Sequence, residues 1–327
     1  MKLKIKSVRS LGFRTVCDIS VATDQSYIDI NGIAHHNTTT NPEVKPMFVP
    51  PKGMLHYEVD YSQAELRVVG EIAVDEVMID IFKRGYNIHV ATACQVNNCL
   101  DKYDEVRKII KDETHPDNDK WEREKKKAKT VNFGIIYGQS AQALADGLGI
   151  SLKEAEDFIK GWLDSYSGVK KWMKNQIIFC RAEGYVKNIF GQKRRLPDIW
   201  NDNDGIREKA ERDCINAPIQ GGASHFTVLS TVVLREQRMK GLLPAYMVQR
   251  YSVHDSIGFY LKGQDLHWVN PIAVKICSNP NTLEYFGFEM QHVNMKVSAE
   301  LGKNWGNLFE VEATTNIPEL LEKIKNS

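Results

Sequence analysis

Hydrophobic and polar positions alternate from residue 2 to residue 21, most plainly in Met1-Lys-Leu-Lys-Ile-Lys6, and period-two alternation predicts short β-strands. Asn31-Gly32 has the chemistry of a tight turn and leads to His36-Asn37-Thr38. Residues 38–53, rich in Thr and Pro, break the periodicity and read as an extended connector. Alternation resumes in Leu55-His-Tyr-Glu-Val-Asp60, a strand that ends on its aspartate, and the spacing turns helical over 63–82. Further helices are expected between Asn87 and Gln139, interrupted by the polar run 114–119, and again beyond Ser151, where Glu154 completes the spacing of a capping box. Residues 247–260 predict a β-hairpin with His254-Asp255 at its turn, and 310–327 an appended polar helix. The whole is a mixed α/β (α+β) chain: a small all-β segment, then a larger mixed region.

Composition narrows the classes. The 327 residues carry 43 Lys and Arg against 42 Asp and Glu, a net charge of +1. No nucleic-acid partner is announced by that balance, nor is one excluded, because phosphate contacts are local and acidic sites offset basic grooves in the total. No apolar run approaches the roughly 20 residues that cross a bilayer, so no membrane partner is expected and a cytoplasmic location is the default. The six cysteines are scattered without a CxxC pair, which favours reduced structural thiols over zinc.

Two features point to phosphate chemistry. Asp60 at a strand end and Asp255 in a hairpin turn each read, taken alone, as an ordinary strand-end or turn residue, and as carboxylates they are also hard oxygen ligands of the kind that magnesium takes. Lys125, Lys129, Phe133 and Tyr137 recur every fourth residue and form one slowly twisting stripe about 18 Å long at about 1.5 Å per residue. The stripe grades from cations to aromatic faces. An amphipathic core helix would explain the two aromatics but not two lysines on the same face.

The ordered set Asp60-Tyr-Ser-Gln-Ala-Glu-Leu-Arg67, Lys129-Thr-Val-Asn-Phe-Gly-Ile-Ile-Tyr-Gly138 and Val253-His-Asp-Ser-Ile257 resembles the three active-site motifs of family A DNA polymerases, over roughly residues 38–305. The resemblance implies a palm and fingers over 38–327, acting on primer-template DNA and dNTPs with two Mg2+ ions. Asp60, Asp255 and the backbone carbonyl of Tyr61 would hold the metals. Lys129, with Lys125 and His89, would meet the triphosphate, Phe133 the sugar, and Tyr137 with Gly138 the templating base. Glu65, beside Gln63 in the nucleotide site, would exclude a ribose 2′-hydroxyl. Arg212, Asn216 and Gln220 would contact primer or template, and His254 the primer terminus. The basic run Lys193-Arg-Arg195 fits either a phosphate contact or a solvated loop.

The chain departs from the family pattern at two positions. Lys125 stands where the family usually has arginine, which keeps the charge but loses the bidentate fork. Ser256 stands where an acidic residue usually follows the catalytic aspartate, so it is given no metal role. His254-Asp255-Ser256 also resembles single-subunit phage RNA polymerases, which share the palm. A glutamate at position 65 favours deoxynucleotides over that alternative, and retention of both aspartates disfavours a third reading, a catalytically inactive nucleic-acid-binding palm.

Residues 1–37 resemble something else. Thr15-Val-Cys-Asp-Ile-Ser-Val21 followed by Asn31-Gly-Ile-Ala-His-His-Asn37-Thr38 resembles the C-terminal motifs of an intein, here the C-terminal fragment of a split one. Asn37 would cyclise, Thr38 would receive the upstream acyl group, and His36 would polarise the scissile peptide. Gln25 replaces a histidine that often assists the reaction. The resemblance implies an N-terminal polymerase half, bearing the N-terminal intein fragment, that would supply the thumb and any exonuclease by trans-splicing.

Overall fold

A computed structural model of the chain describes residues 26–28, 34–36, 45–253, 255–278 and 290–327. In chain order the elements are β1 (Ser26–Ile28), β2 (Ala34–His36), β3 (Leu55–Tyr61), α1 (Ala64–Ala73), α2 (Glu76–Lys83), α3 (Ile88–Val96), α4 (Tyr103–Lys111), α5 (Asn118–Ile136), α6 (Ala141–Leu148), α7 (Leu152–Ser165) and α8 (Ser167–Glu183). They continue with β4 (Tyr185–Lys187), β5 (Lys193–Arg195), α9 (Asp204–Met239), β6 (Gln249–Val253), β7 (Ser256–Leu261), α10 (Leu266–Ser278), β8 (Val297–Asn304), β9 (Asn307–Glu310) and α11 (Ile317–Asn326). The mixed α/β class expected from the pattern is the one observed. The chain divides into two compact units, one of residues 1–60, 231–275 and 297–327, the other of 61–230 and 276–296.

The first unit is built on a five-stranded sheet in the order β6-β7-β3-β8-β9. Along β3 the side chains alternate as its sequence demands: Tyr57 and Val59 are fully buried on one face, whereas His56, Glu58 and Asp60 share the other. The Tyr57 hydroxyl donates to Asn270 on α10, so even the apolar face leaves its polar atom satisfied. β6 and β7 form the expected hairpin. Val253 pairs with Ser256, and Asp255 lies in the turn between them. The C-terminal stretch is less helical than its composition suggests, because Asn307–Glu310 pairs with β8 and the helix begins only at Ile317. β1 and β2 pair antiparallel with Ser26 opposite His36, and the turn expected at Asn31-Gly32 lies outside the described residues.

The second unit is mostly helical. The single helix expected over 63–82 is two helices, broken where Val74 takes a left-handed φ of 48°. A β-branched residue is strained there, and Asp75 offsets the cost. Its buried carboxylate caps α2 through the Met78 amide (3.0 Å) and also receives the amides of Gly168 (2.9 Å) and Val169 (3.3 Å) at the start of α8. The Ser151–Glu154 capping box is formed at the head of α7. Glu71 on α1 accepts the three successive amides of residues 291–293 (2.7–2.9 Å), and Arg67 donates to the carbonyls of Ser62 and Asn294. These buried ionic groups tie α1 and the start of α2 to the backbone at residues 168–169 and 291–294. β4 and β5 form a hairpin in which Lys193, Arg194 and Arg195 are all exposed, with the Lys193 ammonium 4.3 Å from the Tyr185 ring centroid.

Candidate functional site

In the sheet unit, Asp60 lies directly opposite Ser256 in the β3–β7 register, so the hairpin turn brings Asp255 beside it. The two carboxyls interact directly. Burial, then the charges of Asp255, Glu58 and Glu300, push the Asp60 carboxyl up to about 7. Ser256 serves the backbone instead, since its hydroxyl donates to the Val253 carbonyl (3.1 Å) and closes the turn.

Glu58 lies outside the motifs, although strand alternation puts it on the same face as Asp60. Burial alone would raise its carboxyl. Hydrogen bonds involving His56, the Tyr251 hydroxyl and the Trp305 indole (2.7 Å) outweigh burial and bring it below its ordinary value, so it remains ionised. Among the described residues no group of three or more His, Cys, Asp or Glu is arranged to enclose a metal ion. Two apposed carboxylates nevertheless fit magnesium, which typically takes one or two protein carboxylates and completes its shell with water and substrate phosphate.

In the helical unit, α5 carries the expected stripe. Lys125 and Lys129 line, with His89 of α3, a cavity of about 600 Å3 to which Asp119, Glu122, Arg123 and Lys126 also contribute. Lys125 is paired with Glu122 at 3.0 Å. The rings of His89 and Phe133 are 5.6 Å apart, and those of Phe133 and Tyr137 stack at 5.9 Å and 19°. The Tyr137 hydroxyl donates to the Glu65 carboxylate in the first turn of α1, so the stripe and the first motif meet. Burial, then Lys129 and Lys125, push the His89 imidazole down to about 4.

Gly138 ends α5 with a φ of +66°, and a Cβ there would come within 2.7 Å of the Arg212 side chain, so only glycine fits. Asn216 on α9 donates to the Tyr137 carbonyl at 3.2 Å, while its buried Oδ1 has no partner among the described residues. Arg212 and Gln220 are exposed on α9. Gln63 adopts a left-handed φ of 59° just before α1. The Tyr61 side chain is buried, its hydroxyl 2.6 Å from that of Ser230. His254, Asn37 and Thr38 lie outside the described residues, and of His36 only the backbone, at the end of β2, is described.

The profile of "DNA polymerase family A" matches residues 26–307 of this chain. DNA polymerase I of Lactococcus lactis subsp. cremoris is 32% identical over 269 residues, covering 80% of this chain and 27% of the relative. DNA polymerase I of Geobacillus stearothermophilus is also 32% identical, with the same coverage, and the thermostable DNA polymerase I of Thermus filiformis is 31% identical over 82% of this chain and 29% of its own. The chain therefore spans between a quarter and a third of the length of these relatives. Among solved structures, the POL domain of Pol1 from M. smegmatis, in complex with DNA primer-template and dNTP, superposes with a TM-score of 0.68 at 24% identity, covering 83% of this chain and 43% of that one. That likeness concerns the fold.

Proposed function

The chain belongs to DNA polymerase family A, and we propose that it carries the nucleotidyl-transfer site of a DNA-directed DNA polymerase, extending a primer on a DNA template with dNTPs. The observation that carries this reading is the pairing of Asp60 with Asp255, two acids of the first and third motifs held together against their mutual repulsion. Such a pair is costly unless a cation relieves it. Asp60, Asp255 and the Tyr61 carbonyl would hold two Mg2+ ions. Bound there, the metals favour the ionised primer 3′-hydroxyl and offset charge on the triphosphate.

The remaining steps fall to the chain's own side chains. Lys125 and Lys129 neutralise the triphosphate, and Phe133 packs on the deoxyribose. Glu65, held by the Tyr137 hydroxyl, occupies the space that a 2′-hydroxyl would need. Tyr137 and Gly138 border the templating base, and the missing Cβ keeps the backbone turn tight there. Arg212, Asn216, Gln220 and His254 contact primer and template. Primer extension by the chain joined to its N-terminal half, offered deoxy- and ribonucleotides in parallel with Mg2+, tests the reading. Deoxynucleotide incorporation that Asp255→Ala reduces by about a thousandfold or more is expected. Preference for ribonucleotides would favour the phage-type RNA polymerase alternative, and duplex binding without incorporation would favour an inactive palm.

We infer that residues 1–37 are a C-terminal split-intein fragment and residues 38–327 the palm and fingers. The motifs ending at His36-Asn37-Thr38 support this, and the β1–β2 pairing is compatible with an all-β fragment. The family match itself begins at residue 26. Intact-mass analysis after mixing with the N-terminal partner should show loss of residues 1–37 and Thr38 inside a longer protein. Asn37→Ala should block that release, and an unchanged precursor mass with wild-type partner would remove the splicing assignment.

A further inference from the structure

A buried polar chain runs behind His89. The Asn132 Oδ1 accepts from the Trp162 indole at 2.6 Å and from the Thr92 hydroxyl at 3.2 Å, and Thr92 is in turn 2.9 Å from the Tyr166 hydroxyl. All four residues are buried. An indole N–H can only donate, so the amide oxygen of Asn132 is identified by its partner and its NH2 must lie on the other side. On that side, 2.9 Å away, is His89 Nδ1. An amide N–H cannot accept, so Nδ1 must offer its lone pair.

We propose that Asn132 is a positioning residue that fixes His89 as a neutral imidazole protonated on Nε2, so that the ring offers a constant N–H donor to a phosphate oxygen. The phosphate part rests on the function proposed above. With Nδ1 spent on Asn132, the Nε2 edge is the one left for the cavity that His89 shares with α5. An imidazolium would set Nδ1–H against the amide N–H, and it would sit among Arg123, Lys125, Lys126 and Lys129 with only Asp119 and Glu122 as lining acids. From α7 and its C-terminal cap the network contributes neutral groups, Trp162 and Tyr166. Burial and the two stripe lysines act in the same direction, pushing the ring down to about 4. His89 then binds phosphate without adding charge and without carrying a proton to give away near neutral pH.

Long-range 1H–15N correlation spectra of the full chain with labelled histidine test the assignment. At pH 7 the His89 ring should show the Nε2–H tautomer; an Nδ1–H pattern or an imidazolium would overturn it. In Asn132→Asp the new carboxylate accepts from Nδ1–H, and the pattern should change to Nδ1-protonated or doubly protonated, whereas an unchanged pattern would contradict the role of the amide. If that variant does not fold, Trp162→Phe combined with Thr92→Val removes both donors to the Asn132 oxygen and should give a mixture of tautomers, and a single retained Nε2–H tautomer there would equally contradict the network. Titration with dGTP and Ca2+ should then shift the wild-type Nε2 signal while leaving the tautomer unchanged. No shift would overturn the phosphate role, and with it the reading of the cavity, while the tautomer assignment would stand.

Discussion

The sheet unit and the helical unit handle charge in different ways. Around β3, Glu58, Asp60, Asp255 and Glu300 gather charges of one sign, and the result is a carboxyl held near pH 7. Along α5 some of the charges are paired with near neighbours instead: Lys125 with Glu122 and Lys127 with Glu124, while the His89 imidazole is pushed down to about 4 and its ring nitrogen finds an amide partner. The difference is chemical. On the proposed function, the sheet site benefits from repulsion that cation binding removes, whereas the helical site offers a triphosphate cations that are already solvated or paired. On this account, substitutions in the sheet act on whether the reaction occurs, and substitutions on the helix act on which nucleotide is used.

Phe133→Tyr offers the largest helix-side effect. On the proposed function Phe133 faces the sugar and gives it no hydrogen bond, so an incoming nucleotide would rely on its own 3′-hydroxyl, and a dideoxynucleotide should be rejected. A phenolic hydroxyl would restore a bond to a charged group worth about 1.5–3 kcal/mol, so the deoxy to dideoxy ratio of kcat/KM should fall about 10–100-fold. An unaltered ratio would mean that Phe133 does not face the sugar. Glu65→Ala should have a smaller effect, raising ribonucleotide incorporation about tenfold or less while chemistry on deoxynucleotides continues. Competition between the two nucleotide types in one extension reaction reads this directly. Complete loss of synthesis in Glu65→Ala would break the division between the two units' roles.

Much of the sheet site is legible in the chain because strand chemistry is local. Alternation in Leu55-His-Tyr-Glu-Val-Asp60 puts Asp60 on the face away from Tyr57 and Val59, and the spacing 253–256 allows a two-residue turn at Asp255. The same alternation contains Glu58, which escapes notice because nothing local reveals that Tyr251 and Trp305 hold it charged. On the helical side, spacing is enough to place Lys125, Lys129, Phe133 and Tyr137 on one stripe. It cannot show the break at Val74, where apolar periodicity continues and only the tertiary bonds of Asp75 stabilise the strained residue. Nor can it show Asn132, whose partners lie 30 to 43 positions away in sequence. The same holds for β9: Asn307-Leu-Phe-Glu310 is too short to carry a strand signal of its own, and its partner is β8.

The most direct test of the claim that repulsion at Asp60 is stored for metal binding is the unfolding free energy of Asp60→Asn against wild type, from pH 4 to pH 8, with and without Mg2+. The folded-state carboxyl titrates near 7 and the unfolded one near its ordinary value of 3.8, so between those pH values the folded state holds a proton that the unfolded state has released. Its contribution therefore falls as pH rises and is fully unfavourable above about 7. Allowing for partial exposure, Asp60→Asn should be more stable than wild type by about 1–3 kcal/mol at pH 8, with the gap closing towards pH 4. At pH 8, millimolar Mg2+ should stabilise the wild type and leave Asp60→Asn nearly unchanged. A variant that is no more stable than wild type at pH 8, or that gains as much from Mg2+, would contradict the account.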